Sequence, residues 1–213
     1  MKIVVPFKRK NAKSRLASIL TPDERDTLAM NMLRDVMGAL DGFEVDLLTS
    51  SMLSNNDVDF SSCILLSDYG LNEALNEYLD SRAEQDNDSV MIVMADLPLI
   101  SSKHISEIAG LDADVVIAPG KGGGTNILYI KDPSGFHVDY YGASFLDHLR
   151  IARETGASVE IYDSFAVSTD IDEPDDLVEL LMHGDGKASR MLTDYGFDVA
   201  VRDGRVGIDR NQA

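Results

Sequence analysis

Short apolar runs alternate with helical repeats of apolar and polar residues along most of this 213-residue chain. The apolar runs are bounded by turn residues and predict seven strands, at residues 2–7, 45–50, 63–67, 89–96, 113–119, 126–131 and 158–164. Apolar residues at three- and four-residue spacing predict helices, at residues 21–40, 71–85, 101–111, 144–156 and 173–184. This alternation predicts an α/β fold with a largely parallel sheet. The pair Asp203 and Gly204 predicts a C-terminal β-hairpin.

The pattern continues without a linker, a repeat or a low-complexity segment, so we expect one domain over residues 1–213. Hydrophobic residues make up 44% of the chain, which is enough for a large core. The single cysteine, Cys63, excludes an internal disulfide and favours a reducing compartment. The start does not resemble a signal peptide and no apolar run reaches about 20 residues. We therefore expect a cytoplasmic protein without a membrane partner.

The chain is strongly acidic, with a net charge of −18 from 19 basic and 37 acidic residues. Nucleic-acid binding is disfavoured, because phosphates repel such a chain. The segment after the first strand is the exception, since it carries five cations without an acid: Lys8, Arg9, Lys10, Lys13 and Arg15. A solvated loop and a nucleic-acid patch are the alternatives, but the segment favours a small polyanion such as a triphosphate. It has neither the P-loop spacing nor the dinucleotide-binding glycines.

Aspartates follow the most apolar strand and recur late in the chain. Asp96 ends the predicted strand 89–96, where it either caps the next turn or touches a metal ion. Asp170 and Asp172 alternate along an extended segment and can point to one side, as Mg²⁺ ligands require. There are two alternatives for this pair. It could be an acidic turn, or it could belong to a phosphatase that uses the first aspartate as nucleophile. Asp175 and Asp176 open a helix and are expected to be structural.

Two further segments are suited to binding an anion. Residues 122–124 are consecutive glycines followed by Thr125, and such a backbone can approach an anion closely. Gly142 and Ser144 lie at a predicted helix N-terminus, which is a second anion site. A flexible loop is the alternative for the glycines, and His148 is expected to be a packing or hydrogen-bonding residue rather than a catalyst. Together with the cations and the carboxylates, these segments predict nucleotidyl transfer to a phosphorylated acceptor.

Six stretches resemble the 2-phospho-L-lactate guanylyltransferases of coenzyme F(420) biosynthesis. They are "VVPFKRKNAKSRLA", "DYGLNEAL", "VMADLPLI", "GGGTNIL", "GASFLDHLRIA" and "STDIDEPDDL", and they extend over nearly the whole chain. The resemblance implies a glycosyltransferase-A-type nucleotidyltransferase fold, which has a Rossmann-like mixed, mostly parallel sheet with helices on both faces. It also implies a homodimer and the reaction of GTP with (2S)-2-phospholactate to give (2S)-lactyl-2-diphospho-5'-guanosine and pyrophosphate.

The resemblance also implies roles for particular residues. Asp96, Asp170 and Asp172 match the Mg²⁺ ligands, and Asp96 and Asp172 are catalytic together with Lys13. Thr125, Gly142 and Ser144 match the positions that hold the phosphorylated acid. The GTP site is expected to contain the cations of the first loop and, near the guanine or ribose, Asn72; these residues are Lys8, Lys13, Arg15 and Asn72.

Several alternatives remain at this stage. The acceptor could be phosphoenolpyruvate or 3-phosphoglycerate, and the nucleotide could be another triphosphate. A molybdopterin guanylyltransferase is a neighbouring family, but lysines replace its glycine-rich first loop here. From other classes, a non-catalytic nucleotide sensor would keep the same pocket. A nucleic-acid-binding protein would use residues 8–15.

Overall fold

A seven-stranded sheet forms the centre of the computed structural model, which describes residues 1–9, 12–53, 63–85 and 88–211. Lys10 of the basic segment lies outside the described residues. The strand order is β3-β2-β1-β4-β6-β5-β7, and only β6 runs antiparallel to its neighbours. The strands are β1 (Lys2–Phe7), β2 (Val45–Thr49), β3 (Cys63–Leu66), β4 (Val90–Val93), β5 (Val115–Pro119), β6 (Thr125–Ile130) and β7 (Val159–Ile161).

Helices cover both faces of this sheet. They are α1 (Pro22–Ala39), α2 (Leu71–Gln85), α3 (Ser102–Ala109), α4 (Ser144–Glu154), α5 (Phe165–Ser168), α6 (Asp176–His183) and α7 (Lys187–Asp194). Alternate residues of a strand point to opposite faces, and Ile3 and Val5 of β1 pack in one core with α1 and α3. Val4 packs on the other face with α2 and α4. The predicted mixed, mostly parallel sheet with helices on both faces is therefore confirmed. Of the helices described, none combines the length and the apolar character needed to span a bilayer.

A third core lies beside the sheet, beneath α6, α7 and a C-terminal hairpin. The hairpin consists of β8 (Phe197–Arg202) and β9 (Arg205–Arg210), as predicted. Asp203 and Gly204 both have positive φ, 51° and 75°, which is the geometry of the tight turn that Asp-Gly favours. Arg210 lies over the Phe197 ring, 4.8 Å from its centroid, and pairs with Glu24 of α1. The hairpin is thereby attached to α1.

Four elements differ from the sequence prediction. The predicted strand 89–96 leaves the sheet after Val93, so that Asp96 lies in the following turn. The predicted helix 173–184 begins only at Asp176, because Pro174 and its neighbours form a turn first. The short helices α5 and α7 were not predicted from the sequence.

The start of α7 is stabilised by a side chain that is distant in sequence. The carboxylate of Asp35, in α1, accepts hydrogen bonds from the backbone N–H groups of Lys187 at 2.7 Å and Ala188 at 2.8 Å. Burial raises the pKa of Asp35, although these two bonds favour its ionised form. A Cβ at Gly186 would lie 2.5 Å from this carboxylate, so only glycine fits beside it. Because this cap comes from another helix, the sequence next to α7 contains no local signal for the start of the helix.

Asp35→Ala is expected to lower the free energy of unfolding by about 1–2 kcal/mol, because two backbone N–H groups lose their acceptor. Urea denaturation measures the change. Asp112→Ala is the matched control, since Asp112 is exposed and has no described hydrogen bond or ion pair. Equal stability of the two variants would contradict a capping role for Asp35.

Candidate active site

A cleft of about 520 Å³ runs along the edge where the parallel strands end. Each of four neighbouring strands supplies part of its wall: Lys8 and Lys13 after β1, Ser50 after β2, residues 67–71 after β3, and residues 94–96 after β4. Tyr141 and Asp172 complete the lining. Ligands of open α/β sheets bind at this edge, and the volume falls in the usual range for small-molecule sites.

Lys13 joins two of the predicted site aspartates. Its Nζ lies 2.8 Å from Asp96 Oδ2 and 2.6 Å from Asp172 Oδ1, and the side chain is only 8% exposed. Burial disfavours the ammonium, but the charges of both carboxylates and the hydrogen bonds to them outweigh burial and raise the pKa of Lys13. The structure therefore brings Lys13, Asp96 and Asp172 to one point of the cleft.

The backbone around Lys13 is turned sharply to make this contact. Lys13 has φ of 56°, in the left-handed region that lysine rarely adopts. Its carbonyl accepts from Leu16 N–H at 3.0 Å and begins a 3-10 helix over Ser14–Ser18. Leu16 is fully buried in the third core. Packing of Leu16 thus holds a conformation that costs on the order of 1 kcal/mol.

The segment with Asp170 and Asp172 is extended, with one residue buried between two aspartates. Ile171 is fully buried, and its N–H donates to the Asp96 carbonyl at 3.1 Å. Asp176 Oδ2 accepts from the N–H groups of Asp172 at 2.9 Å and Glu173 at 2.8 Å. Asp176 has the structural role that was expected of it, and it positions the Asp172 backbone.

Asp170 is partly buried beside Asp96. Burial raises its pKa, and the negative charge of Asp96 adds to the effect, whereas a hydrogen bond from Asn126 opposes it. Asn126 Nδ2 lies 3.3 Å from Asp170 Oδ1 and 2.8 Å from the Val167 carbonyl. A Cβ at Gly120 would lie 2.4 Å from the Asn126 side chain, so the glycine leaves room for this amide.

The fit of this site to a metal ion can be judged from its donors. Carboxylate oxygens are the ligands that Mg²⁺ prefers, and burial together with the negative charge of Asp96 raises the pKa of Asp170. The Lys13 ammonium lies between Asp96 and Asp172 and offsets part of that charge. Within the described ranges, no three His, Cys, Asp or Glu residues are grouped closely enough to hold a metal. The carboxylate oxygens of the site are therefore suitable donors for Mg²⁺, and the Lys13 ammonium lies between two of these carboxylates.

The other predicted cations have different surroundings. Lys8 lines the cleft. Arg15 is exposed, and its guanidinium lies 3.5 Å from Asp172 and 3.7 Å from Glu173. Arg9 faces α1, with its Nε 3.6 Å from Asp26. Their predicted roles toward GTP stay predictions.

Thr125 is hydrogen-bonded to His148, in agreement with the packing or hydrogen-bonding role expected of this histidine. Thr125 Oγ1 lies 2.9 Å from His148 Nδ1, and the Asp139 N–H donates to His148 Nε2 at 3.2 Å. A backbone N–H can only donate, so Nε2 is the unprotonated nitrogen and Nδ1 carries the hydrogen. Nδ1–H then donates to Thr125, which leaves the Thr125 hydroxyl hydrogen for another acceptor.

Gly142, Ser144 and Asn72 do not line the cleft as it is described. Gly142 has φ of 74°, and Ser144 is the first residue of α4 and is buried. The Asn72 amide is bonded at both ends, donating to Asp139 Oδ1 at 2.8 Å and accepting from Tyr140 N–H at 2.7 Å. Asn72 therefore holds the loop that carries Tyr141, and its predicted contact with guanine or ribose stays a prediction.

Sequence reasoning did not identify the aromatic and acidic residues opposite the cations. Asp68, Tyr69 and Tyr141 line the cleft, and both tyrosines are exposed. For Asp68 and Tyr69, the sequence signal for a place in the cleft was their position directly after a strand. Tyr141 had no such signal, because it comes from a loop that is distant in sequence.

The sheet order and the cleft define a nucleotidyltransferase-type α/β protein. A nucleotidyl transferase from Methanothermobacter superposes with a TM-score of 0.63 at 15% identity, covering 86% of this chain and 97% of that chain. A Desulfovibrio desulfuricans protein described as a nucleotide-diphospho-sugar transferase superposes with a TM-score of 0.75 at 14% identity. The superposition covers 91% of this chain and 94% of that chain. These similarities establish the fold.

The chain belongs to the family described as guanylyl transferase CofC like, whose family model matches residues 1–210. It is 52% identical over 195 residues to a 2-phospho-L-lactate guanylyltransferase of Methanocella arvoryzae, which covers 90% of this chain and 85% of the relative. The enzyme of the same description from Methanosarcina mazei is 48% identical over 211 residues, and the match covers 98% of this chain and 99% of the relative. The resemblance seen in the sequence is confirmed.

The buried histidine should make stability depend on pH. Burial lowers the pKa of His148 to about 4 from its ordinary value of 6.5, against the opposing charges of Asp139 and Asp147. Below about pH 6.5 the unfolded chain binds a proton that the folded chain does not, so the free energy of unfolding falls as the pH approaches 4. Between pH 7 and pH 5 this contributes a loss of about 2 kcal/mol.

His148→Gln should therefore show a smaller loss of stability between pH 7 and pH 5, measured by urea denaturation at each pH. The exposed histidine variant His137→Gln is the control and should retain the wild-type loss. Equal losses in both variants would contradict a neutral, buried His148.

Proposed function

We propose that the protein transfers the guanylyl group of GTP to (2S)-2-phospholactate, giving (2S)-lactyl-2-diphospho-5'-guanosine and pyrophosphate in coenzyme F(420) biosynthesis. Family membership and the activity named for close relatives support this reaction. The structural observation that carries the proposal is the meeting of Lys13, Asp96 and Asp172 at one point of the strand-end cleft. We further propose that the protein acts as a homodimer in the cytoplasm, without a nucleic-acid or membrane partner.

The proposed chemistry is a displacement at phosphorus. A phosphate oxygen of the acceptor attacks the α-phosphorus of GTP, and the bond from that phosphorus to the bridging oxygen of pyrophosphate breaks. No protein nucleophile is required, so the chain contributes position and charge. Lys8 and Lys13 line the cleft and supply cations for the triphosphate, while Arg15 lies beside Asp172 at its margin.

We propose Mg²⁺ as the metal, with Asp96, Asp170 and Asp172 as its carboxylate ligands. When bound, the ion would neutralise phosphate charge during the displacement. Lys13 already neutralises Asp96 and Asp172 in the described structure. Asp96, Asp170 and Asp172 would hold the ion, and Lys13, whose ammonium lies beside Asp96 and Asp172, would supply a further positive charge for the triphosphate.

We propose that the acceptor binds on the other side of Asp96, near Thr125, Gly142 and Ser144. Thr125 begins β6, next to β4 in the sheet, and its hydroxyl hydrogen is available because His148 already donates to the oxygen. The N-terminus of α4, which begins at Ser144, favours a negatively charged group.

Purified protein with GTP, 2-phospholactate and Mg²⁺ should release pyrophosphate and form the guanylylated acid, detected by mass spectrometry. Phosphoenolpyruvate and 3-phosphoglycerate serve as competing acceptors, and chelation of Mg²⁺ should stop the release. A preference for another acid would replace 2-phospholactate as the acceptor. GTP binding without release from any acceptor would favour a nucleotide sensor.

Asp172→Asn should lower kcat at least about 100-fold while circular dichroism stays unchanged, because one of the proposed Mg²⁺ ligands is lost. Asp175→Asn is the matched control, since Asp175 is exposed and its side chain makes no capping bond. Near-normal turnover of Asp172→Asn would exclude this residue from the site.

Lys13→Met should lower kcat/KM for GTP about 100-fold, because the cation nearest to both carboxylates is removed without a large change in shape. The control is Lys103→Met, on the exposed side of α3. Wild-type kinetics in the Lys13 variant would show that the ammonium does not act on the nucleotide.

A further inference from the structure

The cleft extends well beyond the cations and carboxylates. Its walls follow the strand order, with Asp96 after β4 at one end and residues 67–70 after β3 at the other. These two loops are three strand spacings apart, about 14 Å across the edge. An extended nucleotide reaches over such a distance from its phosphates to its base. With the phosphates beside Lys8 and Lys13, the base points toward the loop after β3.

The loop after β3 offers a carboxylate and two aromatic rings to that end of the cleft. Asp68 lines the cleft and has no hydrogen bond or ion pair with the part of the chain that the structure describes. Tyr69 and Tyr141 are 65% and 59% exposed, which leaves large aromatic surfaces uncovered. Exposed rings in a cleft are suited to stacking on a flat base.

Tyr141 is held in position by two neighbouring segments. Its N–H donates to Asp139 Oδ1 at 3.2 Å, and Asn72 fixes the same carboxylate. Its hydroxyl lies beside the loop after β3, because a Cβ built on Gly70 would be 3.2 Å from the Tyr141 oxygen. Asp68, Tyr69 and Tyr141 therefore bound one compartment of the cleft.

We propose that this compartment is the guanine subsite of the reaction proposed above, and that Asp68 reads the base. The carboxylate accepts hydrogen bonds from the N1–H and the exocyclic N2–H₂ of guanine, while Tyr69 and Tyr141 flank the ring. Asn72 is a positioning residue that acts through the loop carrying Tyr141. The inference rests on the proposed function for the orientation of the nucleotide.

The chemistry of the bases makes this assignment selective. Adenine presents an unprotonated N1, which a carboxylate repels, so ATP is rejected. Xanthine keeps the N1–H of guanine but has a carbonyl oxygen at position 2, which also opposes a carboxylate. An asparagine at position 68 would reverse the second contact, because its Nδ2 donates to that carbonyl while its Oδ1 accepts from N1–H.

Asp68→Asn tests the proposal with GTP, XTP and ATP as competing substrates. The variant should lose about 10- to 100-fold in kcat/KM for GTP, because two hydrogen bonds to a charged acceptor are weakened. Its XTP to GTP ratio should rise at least about 100-fold over wild type, and a gain with XTP cannot come from misfolding. Asp163→Asn, at an exposed aspartate without a described partner, is the control and should keep the wild-type ratio.

Calorimetric binding of GTP and XTP, without acceptor, separates this proposal from the proposed function. A shifted binding preference without turnover would support the guanine subsite while the transfer reaction fails. An unchanged XTP to GTP preference in Asp68→Asn, or equal loss of both nucleotides, would overturn the role of Asp68. Wild-type protein that binds neither nucleotide would overturn the subsite as well.

Discussion

One ammonium group between two carboxylates organises the cleft. Asp96 and Asp172 are 83 and 159 positions away from Lys13 in sequence, yet both contact the same nitrogen atom. Two partly buried carboxylates this close would repel each other, and a cation between them relieves the repulsion. The left-handed backbone of Lys13 and the buried Leu16 keep the ammonium there. The remaining features of the cleft are arranged around this contact.

The order of the strands in the sheet determines where each chain segment lies along the cleft. From β3 to β6, this edge presents in turn Asp68 with the aromatic rings, the cations, Asp96 joined by Asp172 from the segment before α6, and a threonine bonded to histidine. On the proposed assignment, these positions correspond to base, phosphates, reacting phosphorus and acceptor. The sheet therefore aligns the nucleotide and the acceptor without a large movement of either.

Much of this arrangement follows from local sequence patterns. The alternation around Ile171 placed Asp170 and Asp172 on one side, and the apolar strand before Asp96 placed that residue at the sheet edge. Contacts between distant segments were beyond such reasoning. The cap from Asp35 to α7 and the bond from His148 to Thr125 depend on packing that no local pattern records. For the same reason, Asn72 could be placed near the site but not assigned to the loop that it holds.

The reversed direction of β6 has a consequence for how such a protein can diversify. Because β6 is antiparallel to β4, its first residue reaches the same edge where its neighbours end. The segments from β5 to α4 thus form a contiguous portion of the chain beside the nucleotide half rather than interleaved with it. Substitutions there can reshape one wall of the cleft while the triphosphate side stays intact. On the proposed assignment of the acceptor to this wall, such a division would let natural selection exchange one small acid for another by local drift.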